Sequence, residues 1–356
     1  MKGLILCAGV GSRLWPITHT LPKHLIPLAN KPILFFIIDI LVDMGIDEIG
    51  IVVGENKASF QEALKEYDNK NIAFNYIKQE KPMGLANAVL SSIDFIQNEK
   101  FLMILGDNLY HPDIKNAINN IVNSNFNCHV LINEVSNPSR YGIVKIENDR
   151  VIDVIEKPNN PPTNLALAGI YTFDSNIFTA CENIKPSNRN EYELSDAIKW
   201  LIDNGYAVSY EKFDCLWQDL GKPEDILAAN QYLLSNIKPK NNGIIDKGSK
   251  LDGMVFIGNN SIVKNSIITG PVTIGNNTII KDAYIGPYTS IYDNAKITDC
   301  NIQNSIILDE SIISNISGTI DSSIIERGCI IEGEKEEIKT NQLLLGKDSK
   351  IKLKKS

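Results

Sequence analysis

The sequence lacks cysteine pairs of the C-x-x-C type, long apolar runs and an excess of positive charge. Its six cysteines are scattered over 356 residues, which fits reduced thiols and excludes a disulfide framework or a zinc site of paired cysteines. No uncharged apolar run approaches the roughly 18 residues of a membrane-spanning helix, and no basic segment followed by an apolar one opens the chain. We therefore expect a cytoplasmic protein with no membrane partner.

The balance of charges narrows the range of partners. The net charge is -8 at pH 7, whereas binding to a nucleic acid requires a broad basic surface. We therefore expect no nucleic-acid partner. A small anionic substrate is compatible with this charge, because a few local cations can hold it.

Two familiar phosphate-binding motifs are also missing from the first loop, within LILCAGVGSRLWPITHTLPKHLIPL. A dinucleotide-binding fingerprint needs G-x-G-x-x-G, but its last position is Leu14. A P-loop needs G-K-[ST] where Leu14 and Trp15 stand. Gly9 and Gly11 nevertheless allow backbone N–H groups to approach an anion closely.

Arg13 and Lys23 are the two cations of this loop with a plausible role in binding phosphate. Arg13 presents a planar fork of donors, and Lys23 follows a proline that stiffens the chain. Taken alone, G-x-G-x-R is equally compatible with a tight turn followed by a surface arginine, so residues elsewhere must decide between the two interpretations.

Strand and helix patterns alternate up to about residue 235. Predicted strands cover residues 3–6, 49–53, 72–77, 101–105 and 128–135. Predicted helices cover residues 32–44, 57–67, 85–96, 114–122 and 223–234, and the first has Asn30 as its cap and Pro32 in its first turn. This alternation predicts βαβ units and a largely parallel sheet, whose ligands collect at the carboxyl ends of the strands.

The composition changes after residue 235. Residues 236–243 predict a linker, and units such as FIGNNS, TIGNNT and YIGPYT follow. Isoleucines recur there about every five or six residues, a period typical of a parallel β-helix with one inward aliphatic residue per face: Ile257, Ile268, Ile274, Ile280, Ile285, Ile291, Ile297, Ile302 and Ile307. A β-sandwich with regular turns is the alternative. We predict domains at residues 1–235 and 244–334 and a charged tail at 335–356.

Two aspartates stand at predicted strand ends. Asp107 follows the apolar segment FLMIL and a glycine, and Asp219 precedes Gly221 in WQDLG. Mg²⁺ takes one or two carboxylates together with substrate phosphates, so these two residues are candidate ligands. The alternative for Asp107 is a cap on the following turn.

Three further polar residues could contact a nucleotide sugar. Glu156 and Lys157 end a predicted strand, where they could accept sugar hydroxyls and bind a phosphate, or form a solvated ion pair. Gln79 carries both a donor and an acceptor, enough to read the edge of a pyrimidine.

Taken together, these motifs resemble the sugar-1-phosphate nucleotidylyltransferases over essentially the whole chain. They are G-x-G-[ST]-R-L with the later PK, Q-x4-GLA, GDN, YG-[IV]-V, EKP and W-x-D-x-G. The most similar branch is that of the long-form glucose-1-phosphate thymidylyltransferases. The resemblance implies an α/β fold: a Rossmann-like nucleotidyltransferase domain with a mixed, mostly parallel sheet, followed by a left-handed parallel β-helix.

The same resemblance implies an activity. A nucleotidyl group would pass from dTTP to glucose-1-phosphate with Mg²⁺ as cofactor, giving dTDP-glucose and pyrophosphate in a cytoplasmic homo-oligomer. A UTP-dependent or other nucleotide-sugar pyrophosphorylase is the alternative within the class, and an inactive nucleotide-binding scaffold is the alternative outside it. The presence of Arg13, Lys23, Asp107 and Asp219 argues against the scaffold.

The resemblance also assigns roles to individual residues. The catalytic cations are Arg13 and Lys23, and the metal ligands are Asp107 and Asp219. The nucleotide-binding residues are Leu6, Gly9, Gly11, Ser12, Gln79, Gly84 and Asp107. The sugar-phosphate contacts are Asn108, Tyr141, Gly142, Glu156, Lys157, Tyr171 and Glu191.

Two residues depart from the family pattern, and a second activity known in the family has to be considered. Ala8 stands where the family commonly has Gly, and His24 stands where it commonly has Gln, which leaves substrate detail open. Some relatives use the β-helix as an acyltransferase with a histidine base. All four histidines here precede residue 130, which argues against that second activity and favours an oligomerising role for the β-helix.

Overall fold

The computed structural model describes residues 1–67, 71–333 and 351. The chain divides into two compact units: unit 1 comprises Met1–Val10 and Ile33–Asp219, and unit 2 comprises Gly11–Pro32 and the chain from Leu220 onward. The domain limits given above stay a prediction. The predicted tail at 335–356 lies outside the described residues except for Ile351.

Unit 1 is built on a nine-stranded sheet. Its strands are β1 (Lys2–Leu6), β4 (Glu48–Val53), β5 (Ala73–Lys78), β6 (Phe101–Leu105), β8 (Cys128–Glu134), β9 (Gly142–Glu147), β10 (Arg150–Glu156), β11 (Leu165–Phe173) and β12 (Val208–Lys212). The order is β10-β9-β11-β6-β1-β4-β5, with β8 pairing β11 and β12. The block β6-β1-β4-β5 is entirely parallel, whereas β11 runs antiparallel to β6 and β8. The sheet is therefore the mixed, Rossmann-like sheet expected from the motifs.

The helices of unit 1 connect these strands. They are α1 (Ile33–Asp43), α2 (Lys57–Ala63), α3 (Leu85–Leu90), α4 (Ile93–Ile96), α5 (Ile114–Val122), α6 (Asn176–Asn183) and α7 (Leu194–Asp203). The single helix predicted over residues 85–96 is wrong, because α3 and α4 are separate. Between them the hydroxyls of Ser91 and Ser92 donate to the carbonyls of Asn87 and Val89, at 3.0 and 2.6 Å, and such bonds compete with helical pairing.

A short hairpin belongs to unit 2 and corrects another prediction. Its strands β2 (Pro27–Leu28) and β3 (Lys31–Pro32) pair antiparallel, and Ala29 and Asn30 between them have φ of 47° and 64°. Asn30 is therefore a turn residue, and the prediction that it caps α1 is wrong. Pro32 ends β3 and precedes α1 rather than lying in its first turn.

Among the described residues, unit 2 also contains α8 (Pro223–Leu234) and a left-handed parallel β-helix with three faces. The first face contains β14 (Lys240–Asn241), β17 (Val255–Ile257), β20 (Val272–Ile274), β23 (Thr289–Ile291), β26 (Ile306–Ile307) and β29 (Ile324–Ile325). The second contains β15 (Ile244–Ile245), β18 (Ile262–Lys264), β21 (Ile279–Lys281), β24 (Lys296–Thr298), β27 (Ile312–Ser314) and β30 (Ile330–Glu332). The third contains β16 (Lys250–Asp252), β19 (Ile267–Thr269), β22 (Tyr284–Ile285), β25 (Asn301–Gln303) and β28 (Thr319–Asp321).

The core of the β-helix is a set of isoleucine stacks. Ile257, Ile274 and Ile291 occupy equivalent positions on successive coils of the first face. All nine isoleucines that the sequence period predicted to point inward are fully buried. The β-helix is therefore confirmed. Within the part of the chain that the structure describes, no helix is long and apolar enough to cross a membrane.

Candidate active site

Parallel strands of unit 1 place several of the predicted site residues at one edge of the sheet. In β1, β4, β5 and β6 the carboxyl ends lie together, since Leu6 pairs with Val52 and Leu105. Leu6 is buried at the end of β1, and Gly9 is exposed in the segment that follows. Gln79 comes directly after β5, and Asp107 follows β6 by two residues.

Gln79 is buried and its amide is oriented by neighbours. Its Nε2 donates to Asn87 Oδ1 at 2.8 Å and to the Gly84 carbonyl at 3.2 Å. Because the nitrogen is engaged in this way, the side chain offers its Oε1 as an acceptor to a ligand. Gly84 has φ of 103°, and a Cβ there would lie 2.5 Å from the Tyr192 carbonyl oxygen, so this position requires glycine.

The two candidate metal ligands are brought together by a separate two-stranded sheet. It consists of β7 (Asn108–Tyr110) and β13 (Trp217–Asp219), and Asn108 pairs with Asp219. Asp107 is therefore one residue from the position opposite Asp219. Trp217 Nε1 donates to Asn108 Oδ1 at 2.8 Å, and Asn108 Nδ2 donates to Asp107 Oδ1 at 3.3 Å. Trp217 thereby orients the amide that faces Asp107.

The chemistry of this pair fits a hard divalent cation. The pKa of the Tyr110 phenol is raised well above its usual value by burial, by Tyr171 and by the negative charges of Asp107 and Asp219. The negative charges of both carboxylates therefore lie close enough to the Tyr110 phenol to affect its pKa. Among residues 1–67, 71–333 and 351, no group of three or more His, Cys, Asp or Glu could hold a metal ion. Two carboxylates that leave the remaining positions to substrate phosphates and water match the preference of Mg²⁺.

Arg140 is a cation beside this pair that the sequence analysis missed. One of its terminal nitrogens lies 3.9 Å from Asp219 Oδ2, and its guanidinium lies 5.8 Å from the centre of the Tyr141 ring. The Tyr141 ring in turn lies 5.2 Å from that of Trp217. The basic residue just before the YG motif was the signal that could have identified it.

A second charged cluster surrounds Glu156, at the end of β10. Its Oε2 accepts a hydrogen bond from Ser195 at 3.0 Å, and its Oε1 lies 3.3 Å from Lys157 Nζ. A Cβ on Gly142 would lie 3.1 Å from Glu156 Oε2, so Gly142 leaves room for this carboxylate. Glu156, Lys157 and Gly142 thus lie together, and their role as sugar-phosphate contacts stays a prediction.

Arg189 joins three carboxylates of this cluster. It lies 3.4 Å from Glu156, 2.7 Å from Glu191 and 3.6 Å from Glu193. Burial raises the pKa of Glu193, and the nearby charges of Glu156 and Glu191 add to the increase. The sequence analysis named Glu191 and missed Arg189, although an arginine followed by two glutamates in the segment RNEYEL was a usable signal.

Tyr171 occupies a different environment from the other predicted sugar contacts. It is buried in β11, with its ring stacked on Phe173 at 5.6 Å. Burial raises the pKa of its phenol, and the charge of Glu156 adds to this effect. Its position is that of a core residue, and its role in binding sugar stays a prediction.

The cations of the first loop belong to unit 2. Ser12 and Arg13 lie in a 3-10 turn, Ser12–Leu14, and Lys23 opens a second one, Lys23–Leu25. Gly11 precedes the first turn with φ of 69°. A Cβ on Gly11 would lie 3.1 Å from the Thr18 methyl group and 3.4 Å from Lys23 Cβ, so the glycine lets the loop close on Lys23.

Arg13 and His24 have contrasting environments within this loop. Arg13 is exposed, and a Cβ on Gly221 would lie 2.7 Å from one of its terminal nitrogens. The guanidinium therefore lies directly over the backbone at Gly221. His24, in contrast, is almost completely buried.

Comparisons with known proteins bear on the family of the chain. Residues 2–236 match the family model described as nucleotidyl transferase. The chain is 40% identical over 358 residues to the low-salt glycan biosynthesis nucleotidyltransferase Agl11 of Haloferax volcanii, covering 99% of this chain and 100% of the relative. It is 35% identical over 354 residues to glucose-1-phosphate thymidylyltransferase of Streptomyces griseus, covering 99% of each.

A solved structure extends the likeness to the fold. UDP-glucose pyrophosphorylase complexed with UDP-glucose has a TM-score of 0.61 and 29% identity, covering 66% of this chain and 99% of that one. With full-length relatives at this identity and a family model spanning well over half of the residues, the chain belongs to the nucleotidyl transferase family and, within it, to the sugar-1-phosphate nucleotidyltransferases.

Proposed function

We propose that this sugar-1-phosphate nucleotidyltransferase uses dTTP and glucose-1-phosphate to form dTDP-glucose and pyrophosphate. The observation that carries the choice of base is the orientation of Gln79, whose Nε2 is engaged by Asn87 and Gly84. Its Oε1 would accept the ring N–H of thymine or uracil. Cytosine presents a ring acceptor at the equivalent position and would be disfavoured, because two acceptors would face each other.

Thymine and uracil differ by one methyl group, so UTP is the second candidate. Burying one methyl group contributes only about 1 kcal/mol, which is too little to exclude UTP strictly. The resemblance to thymidylyltransferases over the full chain length supports dTTP. The fold shared with a UDP-glucose pyrophosphorylase keeps UTP as the alternative.

In the proposed reaction an oxygen of the sugar-1-phosphate attacks the α-phosphorus of the triphosphate in line. The new P–O bond forms as the bond to the bridging oxygen breaks, and pyrophosphate leaves with the electron pair. The nucleophile is already anionic, so no general base is required. The main barrier is repulsion, since two unit charges about 4 Å apart repel by about 4 kcal/mol at an effective dielectric constant of 20.

The side chains would counter this repulsion and fix the geometry. Arg13 would stabilise the departing pyrophosphate, Lys23 the α-phosphoryl oxygens and Lys157 the phosphate of the sugar. Asp107 and Asp219 would hold Mg²⁺, which when bound neutralises phosphate charge. Arg189 would offset the charge of Glu156, Glu191 and Glu193, leaving Glu156 and Glu191 able to accept hydrogen bonds from sugar hydroxyls. A cytoplasmic location and a homo-oligomeric state stay predictions.

The test is a matrix of dTTP, UTP, CTP, ATP and GTP against glucose-1-phosphate and other hexose-1-phosphates. Pyrophosphate release would be measured with Mg²⁺ and, as a control, with a chelator in excess. We expect the highest kcat/KM for dTTP with glucose-1-phosphate, UTP within about tenfold, since one methyl group contributes little, and no reaction with the chelator. A preference for CTP or ATP would contradict the role of Gln79. Absence of nucleotidyl transfer with every pair of substrates would contradict the proposed activity.

A further inference from the structure

The hairpin turn after Lys23 has an unfavourable backbone that requires outside support. Ala29 and Asn30 both have positive φ, the geometry of a two-residue hairpin turn that favours Asn and Gly. An alanine in the left-handed region is strained, because its Cβ comes too close to the following carbonyl oxygen. Contacts from other parts of unit 2 must therefore hold this turn.

Those contacts come from Asn230, a fully buried side chain in α8. Its Oδ1 accepts hydrogen bonds from the Ala29 backbone N–H at 2.8 Å and from Ser290 Oγ at 2.7 Å. Its Nδ2 donates to the Tyr288 carbonyl at 3.4 Å. One buried amide therefore joins the hairpin turn, α8 and the β23 coil of the β-helix.

Two further hydrogen bonds join residues 20–30, the segment that contains Lys23, to the β-helix. Asn30 Nδ2 donates to the Ile291 carbonyl at 2.7 Å, and the Thr20 hydroxyl donates to the Glu326 carboxylate. In the sequence, Lys23 lies between the two attached residues, Thr20 and Asn30. The residues that connect it to the turn are buried, including Ile26 and Leu28. A displacement of the turn is therefore expected to move Lys23, because a close-packed segment transmits shifts.

We propose that Asn230 is a positioning residue for the reaction, acting through Lys23, and that the β-helix is part of the catalytic apparatus because it anchors the Lys23 loop. The inference rests on the role of Lys23 in the proposed function. It goes beyond that function by assigning the β-helix a task in the reaction of the same chain.

The first experiment compares neighbouring residues of α8. Asn230→Ala is expected to lower kcat by about 10- to 100-fold with little change in KM, since an ångström-scale misplacement of a catalytic group has an effect of this size. Gln231→Ala is the matched control. Gln231 Nε2 also bonds the β-helix, at Asn304 Oδ1 and 2.6 Å, and this bond does not involve the loop. Its kcat is expected to equal that of the wild type.

A second variant keeps the test valid if Asn230→Ala does not fold. Asn30→Gly removes the bond to Ile291 while keeping a residue that adopts positive φ readily. It is expected to fold like the wild type and to lower kcat by several-fold. Unchanged kcat in Asn230→Ala, or in Asn30→Gly if Asn230→Ala does not fold, would overturn the proposal.

A double-mutant cycle with Lys23→Ala separates positioning from general stability. If Asn230 acts through Lys23, Lys23→Ala/Asn230→Ala will be no slower than Lys23→Ala alone. If the losses in kcat of the two single variants multiply in the double variant, Asn230 does not act through Lys23. Amide hydrogen exchange of residues 24–31 gives a readout without substrate: it is expected to accelerate in Asn230→Ala and not in Gln231→Ala. Equal exchange in both would overturn the anchoring, and this result holds whether or not the wild type transfers a nucleotide.

Discussion

The carboxylates of unit 1 and the cations of unit 2 are held in place by different means. Asp219 and Glu156 end strands whose backbones are fixed by hydrogen bonds to β7 and β9. Arg13 and Lys23 lie in short 3-10 turns. Their support comes from close packing at Gly11 and Gly221 and from hydrogen bonds that join Ala29 to Asn230 in α8 and Asn30 to Ile291 in the β-helix.

This difference shows where the molecule is sensitive to substitution. A strand end keeps its position as long as its ladder is intact, so the carboxylates depend on regular secondary structure. The cations depend on a few contacts with residues about 200 or more positions away in the sequence. We therefore expect substitutions far from the loop in sequence to alter its chemistry with little effect on folding.

The largest effect is expected when a cation itself is removed. Arg13→Ala should lower kcat by about 10²- to 10³-fold, the range seen when one preorganised donor to developing charge is lost. Its melting temperature should not change, because the side chain is exposed. Pyrophosphate release and thermal unfolding measure the two effects. Lys247→Ala, which removes an exposed cation elsewhere in unit 2, should be fully active; near-normal turnover of Arg13→Ala would exclude its proposed role.

A smaller effect is expected when only the support of Arg13 changes. In Gly221→Ala the new methyl group would lie 2.7 Å from a guanidinium nitrogen, and the flexible arginine would move away. We expect about a tenfold loss in kcat and a change in unfolding free energy within about 0.5 kcal/mol. In Gly248→Ala the nearest atom lies 3.6 Å from the new methyl group, so this control should behave like the wild type. A further loss when Gly221→Ala is added to Arg13→Ala would show that the glycine acts by another route.

The smallest effect on turnover is expected inside the β-helix, where the effect on stability is large. Ile268 and Ile267 are neighbours in β19, but Ile268 is fully buried and Ile267 is 50% exposed. Ile268→Ala should lower the free energy of unfolding by about 2–5 kcal/mol, and Ile267→Ala by no more than about 0.5 kcal/mol. Urea unfolding followed by circular dichroism compares them. Both variants should keep the wild-type kcat per folded molecule, and equal destabilisation would contradict the one-residue-per-face core.

Much of the fold was predictable because its signals are local. The isoleucine period identified the buried stacks of the β-helix, since each face of a coil admits one inward side chain. The strands β1, β4 and β6 were also predicted from local information, because each is a short apolar segment. The predicted strands omitted β11, because its central place between β6 and β8 depends on pairing with segments distant in sequence.

Prediction of the site residues also depended on whether their signals are local or long-range. Motifs named Asp107, Asp219, Glu156 and Lys157, because each stands at a strand end next to a glycine, a proline or an apolar segment. The residues that orient them were given no role: Trp217 was quoted only as part of the W-x-D-x-G motif, and Arg189 was missed. Both acquire their partners only when separate elements pack together.

Asn30 shows the limit of local information most clearly. An asparagine before a helix suits both an N-cap and a left-handed turn, because its short side chain stabilises either. The pairing of Pro27 with Pro32 and the bonds of Ala29 and Asn30 to Asn230 and Ile291 select the turn. The amino-acid pattern alone was enough to identify the family and the repeat of the β-helix. Only the tertiary structure identified Asn230 as the side chain that bonds the hairpin turn after Lys23. Its buried amide lies where α8 and the β-helix meet, and a buried polar group has to be paired with whichever polar groups the fold places around it.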